Sequence, residues 1–351
     1  MDYLELNKRL NINNHRDLIV IYSPPKVGST TLVSSLRISC TNVYNVLHLH
    51  DDDILRVLTN SDTTITVLGL IEYNSKIRKV IVIDIYRSPV ERKMSEYFEN
   101  LCNFHFNNSS DKVNNYSIDR ITKRFNDMFA YIGLGDYYID KFGIKVTQFD
   151  MENKYLMNKI GDVTYIKLRL KDSNEWSDIM TKILGMKVYI VKSYSSSDKE
   201  IGDLYKRLLC LYKLPLNHYE SLLNDEYLKL YYSVEEREDY LKSWCVKLCD
   251  DCDSWSKKEY DFYRKISIEN MSEDIIQKDH YIDLGCDCNN CNIERYKIIE
   301  KIKNNEEIKE RIIHKEIQTQ ISKQIINRIP INKQINKQKR IKNNFQKIIR
   351  G

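Results

Sequence analysis

Leu18-Ile19-Val20-Ile21-Tyr22-Ser23-Pro24-Pro25-Lys26-Val27-Gly28-Ser29-Thr30-Thr31 is the stretch that decides how this chain is read. Its first five residues are apolar and predict a buried strand, and the amphipathic continuation Thr31–Leu36 predicts a helix. A strand, a tight loop and a helix start together make a cradle for a phosphate-like anion. The first amides of the helix have no internal partners, the helix dipole is positive there, and Gly28 lets the backbone bend close to the ligand. Lys26 adds a mobile charge, the amides of Val27 through Thr31 point into the cradle, and Ser29 and Thr30 add hydroxyl donors. The lysine precedes the glycine by two positions, so the Walker spacing G-x-x-x-x-G-K-[ST] is absent and an ordinary ATP or GTP site is disfavoured.

A second feature lies downstream. Lys79–Asp84 reads as another buried strand, leading into Tyr86-Arg87-Ser88-Pro89 and then a helical pattern from Val90 to Leu101. Proline suits a first helical turn. Arg87 is thereby expected at the carboxyl end of a strand, with Ser95 eight residues later on the inner side of the helix, where both can face one anion.

On these two motifs the chain resembles the sulfotransferases that use 3′-phosphoadenylyl sulfate (PAPS). In that superfamily a P-K-x-G-[ST]-[ST] loop holds the 5′-phosphosulfate, and an arginine followed eight residues later by a serine holds the 3′-phosphate. Lys26, Gly28, Ser29 and Thr30 match the first; Arg87 and Ser95 match the second. Further stretches, among them Phe142–Asp150, Val163–Leu168 and Tyr231–Trp244, are similar to the sulfotransferase-like capsular polysaccharide synthesis family. That likeness covers residues 17–245. The Asn-Lys-Trp-Tyr-Ser run known from the family is not intact; Asp198–Arg207 is the nearest stretch. The resemblance implies a PAPS-dependent transferase that sulfates a hydroxyl, with a carbohydrate or polysaccharide as acceptor, and no metal in the chemistry.

Apolar runs recur at 18–22, 43–49, 63–68, 79–85, 144–149, 163–168 and 187–191. Helical periodicity fills 28–39, 88–101, 118–130, 174–184 and 198–212. The alternation predicts an α/β fold with a mostly parallel central sheet covered on both faces, P-loop-like and three-layered, with a helical C-terminal extension. In such sheets ligands bind at the carboxyl ends of strands, where the Lys26 loop and Arg87 fall. Residues 103–115 read as a polar surface loop and 213–280 as helices rich in Tyr and charge. The expected organisation is a PAPS-binding domain over 1–245, a Cys-rich segment over 246–291 and a basic helical tail over 292–351.

The net charge of +5 hides an asymmetry: residues 293–350 hold 16 Lys+Arg against 6 Asp+Glu, leaving 39 against 44 elsewhere. The tail carries an isoleucine stripe (Ile308, Ile312, Ile317, Ile321, Ile325) that ends at Pro330, a pattern for packing on the body or on another copy. It lacks the interleaved aromatics of a nucleic-acid binder. Six of nine cysteines cluster as Cys245-x3-Cys249-x2-Cys252 and Cys286-x-Cys288-x2-Cys291. Free thiols are the preferred reading, and a structural zinc is the alternative. No apolar run approaches the ~20 residues that cross a bilayer, and the N-terminus lacks a signal pattern, so a cytoplasmic protein is expected.

In-line attack of an acceptor hydroxyl on sulfur needs positive charge at the leaving phosphate oxygen and a base at the acceptor. Lys26 fits the first role. For the second, strand alternation in Val46-Leu47-His48-Leu49-His50-Asp51 puts His48 and His50 on one face, with His50 nearer the strand end. His50 is favoured over His48, with Glu72 in reserve; a strand-end histidine beside acids can equally cap the next helix. The alternative functions are a nucleotide-binding kinase-like enzyme and a non-catalytic nucleotide- or glycan-binding protein that keeps a relic of the fold.

Overall fold

The apolar run before the loop forms β1 (Asp17–Tyr22), and every later element is placed by reference to it. A computed structural model describes residues 2–267, apart from 62–63, 107–109, 131–134 and 192–200. Along the first half run α1 (Tyr3–Arg9), β1, α2 (Ser29–Cys40), β2 (Tyr44–Leu49), α3 (Asp52–Thr59), α4 (Val67–Ser75), β3 (Val80–Tyr86), α5 (Pro89–Glu99), α6 (Leu101–Phe104), α7 (Ser110–Asn114) and α8 (Ile118–Phe129). A π-helical turn (Tyr137–Lys141) leads to β4 (Tyr155–Ile160), β5 (Val163–Arg169), a 3₁₀ turn (Leu170–Glu175) and α9 (Trp176–Leu184). The remainder is α10 (Gly202–Leu211), β6 (Leu214–Pro215), α11 (Leu216–Leu223), α12 (Glu226–Tyr231), α13 (Val234–Cys245), β7 (Leu248–Cys249) and α14 (Lys257–Ser267).

The central sheet has the order β2-β1-β3-β5-β4, with β4 antiparallel to β5 and every other neighbour parallel. Alternate residues of β1 and β3 feed two cores, as a period of two requires. Ile19, Ile21, Ile81, Ile83 and Ile85 pack with Leu32, Val33 and Leu36 of α2 and with Trp176 and Met180 of α9. Leu18, Val20, Tyr22, Val80 and Val82 pack on the other side with Leu6, Leu55, Leu70 and Ile71 of α1, α3 and α4. A third core joins α5, α8, α10, α11 and α13 through Met94, Tyr97, Phe98, Phe125, Leu208 and Trp244. Because β2 and β3 lie on opposite sides of β1, the strand order reverses there, and the carboxyl ends of β1 and β3 flank the position where open α/β sheets form a ligand crevice.

Several expected elements differ. The 63–68 run is not a strand; the described part enters α4, whose start is fixed by the Thr66 side chain accepting from the Gly69 amide. Residues 144–149 and 187–191 form no strand of the sheet. In the latter, hydroxyls replace the ladder: the amides of Tyr189 and Val191 donate to Ser39 and Ser35 of α2, and Ser177 donates to the Val188 carbonyl. Those bonds satisfy the backbone without a neighbouring strand. β4 was not anticipated, since Tyr155–Ile160 shows no clean alternation; it is held by a two-residue hairpin turn with Gly161 at φ 59°. Within 103–115, α6 ends and α7 forms, and the buried Val113 anchors α7 in the helical core. The tail over 292–351 and Cys286, Cys288 and Cys291 lie outside the described residues. Among the described residues no three or more His, Cys, Asp or Glu side chains are arranged to hold a metal, and no helix is long and apolar enough to cross a membrane.

Below the crevice sits a buried ionic cluster. The Lys167 ammonium donates to Asp84 at 2.7 Å and to Asp136 at 2.5 Å, and none of the three is more than 2% exposed. Burial pushes the Asp84 carboxyl up to about 6, against the pull of the Lys167 charge. Asp84 also accepts from the Tyr138 amide at 2.9 Å, which ties the π-helical turn to the sheet. Removing one partner of a buried ionic pair leaves uncompensated charge and costs about 3–5 kcal/mol. Lys167→Met is accordingly expected to lose about that much in urea unfolding; a loss under about 1 kcal/mol would show that the cluster does not hold the turn in place.

Candidate functional site

The loop between β1 and α2 is bent by two left-handed residues, Lys26 at φ 65° and Gly28 at φ 87°. A lysine in that region costs of order 1–3 kcal/mol and persists only where its surroundings enforce it. Val27 between them is buried at 1% exposure and pins the loop into the core. Gly28 is required twice over, by its φ and by space: a Cβ there would lie 2.5 Å from Leu170 Cδ1 and 3.4 Å from Trp176 Cη2. As the residue preceding α2, Gly28 supplies no side-chain acceptor, so no side chain caps the start of that helix. The Thr30 and Thr31 side chains are partly exposed.

Arg87 comes off the end of β3 and turns toward this loop. Its Nη1 donates to the Lys26 carbonyl at 2.8 Å and its Nη2 to the Tyr205 hydroxyl of α10 at 3.4 Å. The guanidinium therefore braces the strained lysine and joins the two expected anion motifs in one cleft. Ser95 is placed less openly, at 2% exposure inside α5, so a phosphate would reach its hydroxyl only by moving what covers it.

The two histidines line the same rim. Their rings lie 4.5 Å apart at 76°. His48 Nε2 is 3.0 Å from the Ser29 hydroxyl, which turns that hydroxyl toward the histidine rather than into the cradle. His50 Nδ1 is 2.7 Å from the Ser23 carbonyl; a carbonyl can only accept, so Nδ1 carries the proton and Nε2 keeps the lone pair in the neutral ring. Burial holds His48 well below the usual histidine range, with repulsion from His50 and Arg37 adding to it. Burial also lowers His50, aided by the nearby Lys26 and Arg92 charges and opposed by Asp51. The α3 cap is Asp51, whose carboxylate accepts from the Ile54 amide, and His50 is left out of that role. Glu72 is exposed on α4 and pairs with Lys76 at 2.9 Å; the geometry does not bring it to the loop.

Several residues around the cleft carry no motif. Tyr137 donates from the π-helical turn to the His50 carbonyl at 2.6 Å, fixing the histidine-bearing turn from below. On α5, Arg92 donates to the Gly135 carbonyl, and Lys93 donates to the Phe129 carbonyl at 2.8 Å with its ammonium lowered to about 8 by burial. Glu99 reaches the Lys26 ammonium at 2.9 Å. Arg92, Glu96 and Glu99 recur one turn apart on one face of α5, a signal present in the sequence. Tyr137 and Tyr205 had no local signal, because only the tertiary fold brings them here. The chain was compared with family models, curated proteins and solved structures, and none matches.

The half-buried imidazoles give the site a pH signature. His48 is held below its ordinary value of 6.5, so on acidification the unfolded chain takes up the proton first. Its contribution to stability is present above about pH 6.5 and is lost as pH falls through the lowered folded value. Urea unfolding at about pH 7.5 and about pH 5.5 is expected to show a smaller loss in His48→Asn than in the unaltered protein. Equal losses would mean that His48 takes up a proton as readily in the folded chain as in the unfolded one.

Proposed function

We propose that the chain is a sulfotransferase with a P-loop-like fold that moves the sulfuryl group of PAPS to a hydroxyl, with a carbohydrate as the acceptor class. The observation that carries this reading is the Arg87 guanidinium bonded to the carbonyl of Lys26, which unites the lysine loop and the β3-end arginine at the strand-order reversal. Two cationic groups and a run of helix-start amides then face a single cleft, as a donor with phosphates at both ends needs. The carbohydrate class rests on the family resemblance alone.

In this proposal the acceptor oxygen attacks sulfur in line, the bond from sulfur to the 5′-phosphate oxygen breaks, and adenosine 3′,5′-bisphosphate leaves. Charge grows on the departing phosphate oxygen, where Lys26 and the amides of Gly28 to Thr30 stabilise it. The acceptor proton passes to His50 Nε2, the nitrogen left basic by the Ser23 carbonyl. A lowered pKa keeps that ring neutral, and therefore competent as a base, at neutral pH.

Calorimetric titration with adenosine 3′,5′-bisphosphate tests the donor site. Lys26→Ala and Arg87→Ala are each expected to weaken binding about ten-fold or more, the worth of a charge-assisted hydrogen bond. Unchanged affinity in both removes the assignment. His50→Ala is expected to retain the nucleotide and to lose about 10²-fold or more in transfer of labelled sulfate from PAPS to a glycan panel. Full turnover in that variant would move the base to His48.

A further inference from the structure

The ammonium of Lys26 is already engaged by an internal anion. Glu99 holds it at 2.9 Å, and the pair joins different layers: the loop after β1 and the last turn of α5. Glu99 is not isolated in this position. Glu96, one turn earlier, lies within the field of Lys26, Arg92 and Lys93; burial nonetheless raises its carboxyl, and its buried Oε2 has no hydrogen-bond partner among the described residues. A buried carboxylate oxygen without a donor, beside three cations, marks a place whose hydrogen bonding is incomplete. Lys26 itself is fixed at its backbone, where its carbonyl accepts from Arg87, while its ammonium pairs with Glu99.

We propose that Glu99 is a latch: it occupies the Lys26 ammonium while the cleft is empty, and an incoming phosphate-type anion must displace it. This rests on reading the loop as an anion cradle. The Glu99 side chain is 47% exposed, so it can swing into water when displaced. The exchange trades a solvent-screened pair for a dianion bound also by the helix-start amides, which favours the ligand. An anion that displaces Glu99 must out-compete a carboxylate, and so the latch selects for groups that also engage the amides.

The test titrates inorganic pyrophosphate into the unaltered protein, Glu99→Gln, Lys26→Ala and, compared with that single variant, Lys26→Ala/Glu99→Gln. With the competitor neutralised, Kd is expected to fall about two- to five-fold in Glu99→Gln, the range that a half-exposed ion pair allows. That gain is expected to vanish in the double variant. An equal or higher Kd in Glu99→Gln, a gain that survives loss of Lys26, or no pyrophosphate binding by either protein overturns the latch. If Glu99→Gln gains pyrophosphate affinity while adenosine 3′,5′-bisphosphate binds neither protein, the latch stands and the PAPS reading falls.

Discussion

The carbonyl of Lys26, accepting from Arg87 at 2.8 Å, links the turn after β1 to the turn after β3. Without that bond nothing in the loop itself would keep a lysine at φ 65°. The neighbouring contacts depend on the same bend. Val27 enters the core between two left-handed residues, and glycine is needed at the start of α2 because Leu170 and Trp176 fill the space a side chain would take. The conformation of the loop is thus enforced from three directions, by β3, by the turn after β5 and by the core, and it holds the amides of α2 toward the crevice.

Charge is organised in depth beneath this loop. At the bottom, Lys167 balances Asp84 and Asp136 and locks the π-helical turn onto the sheet. From that turn Tyr137 reaches the His50 carbonyl, while the Ser23 carbonyl fixes the tautomer of the same ring. Above lie Lys26 and Arg87 with the α5 carboxylates, and Arg92 is buried beside them. A fully buried ionic layer adds little net stability compared with apolar packing, but it tolerates few alternative arrangements, and here it sets the height and orientation of the histidine turn.

The parts of the fold legible in sequence were those with strong local periodicity. β1 and β3 are apolar along most of their length because helices cover both faces, β5 keeps an apolar run broken by the buried Lys167, and α2, α5, α8, α9 and α10 follow their 3.6-residue patterns. The 187–191 run misled because its backbone bonds to serine hydroxyls, which periodicity cannot distinguish from a ladder. β4 was hidden because it is an edge strand whose side chains are half-buried or exposed, so no alternation was imposed on it. At the candidate site, Lys26, Gly28, Arg87, His48 and His50 were proposed from spacing and strand ends, whereas Tyr137 and Tyr205 come from 87 and 118 residues away from their partners. Ser95 matched by spacing, yet helix packing turned it inward.

The central claim is that two anion-holding turns share one cleft at the reversal of strand order. Its most direct measurement is a crystal structure of the full chain with adenosine 3′,5′-bisphosphate. One phosphate is expected over the amides of Gly28 to Thr30 with Lys26 released from Glu99, and the other within hydrogen-bonding reach of the Arg87 guanidinium. A nucleotide bound elsewhere, or held in the cleft with neither Lys26 nor Arg87 touching a phosphate, would contradict it.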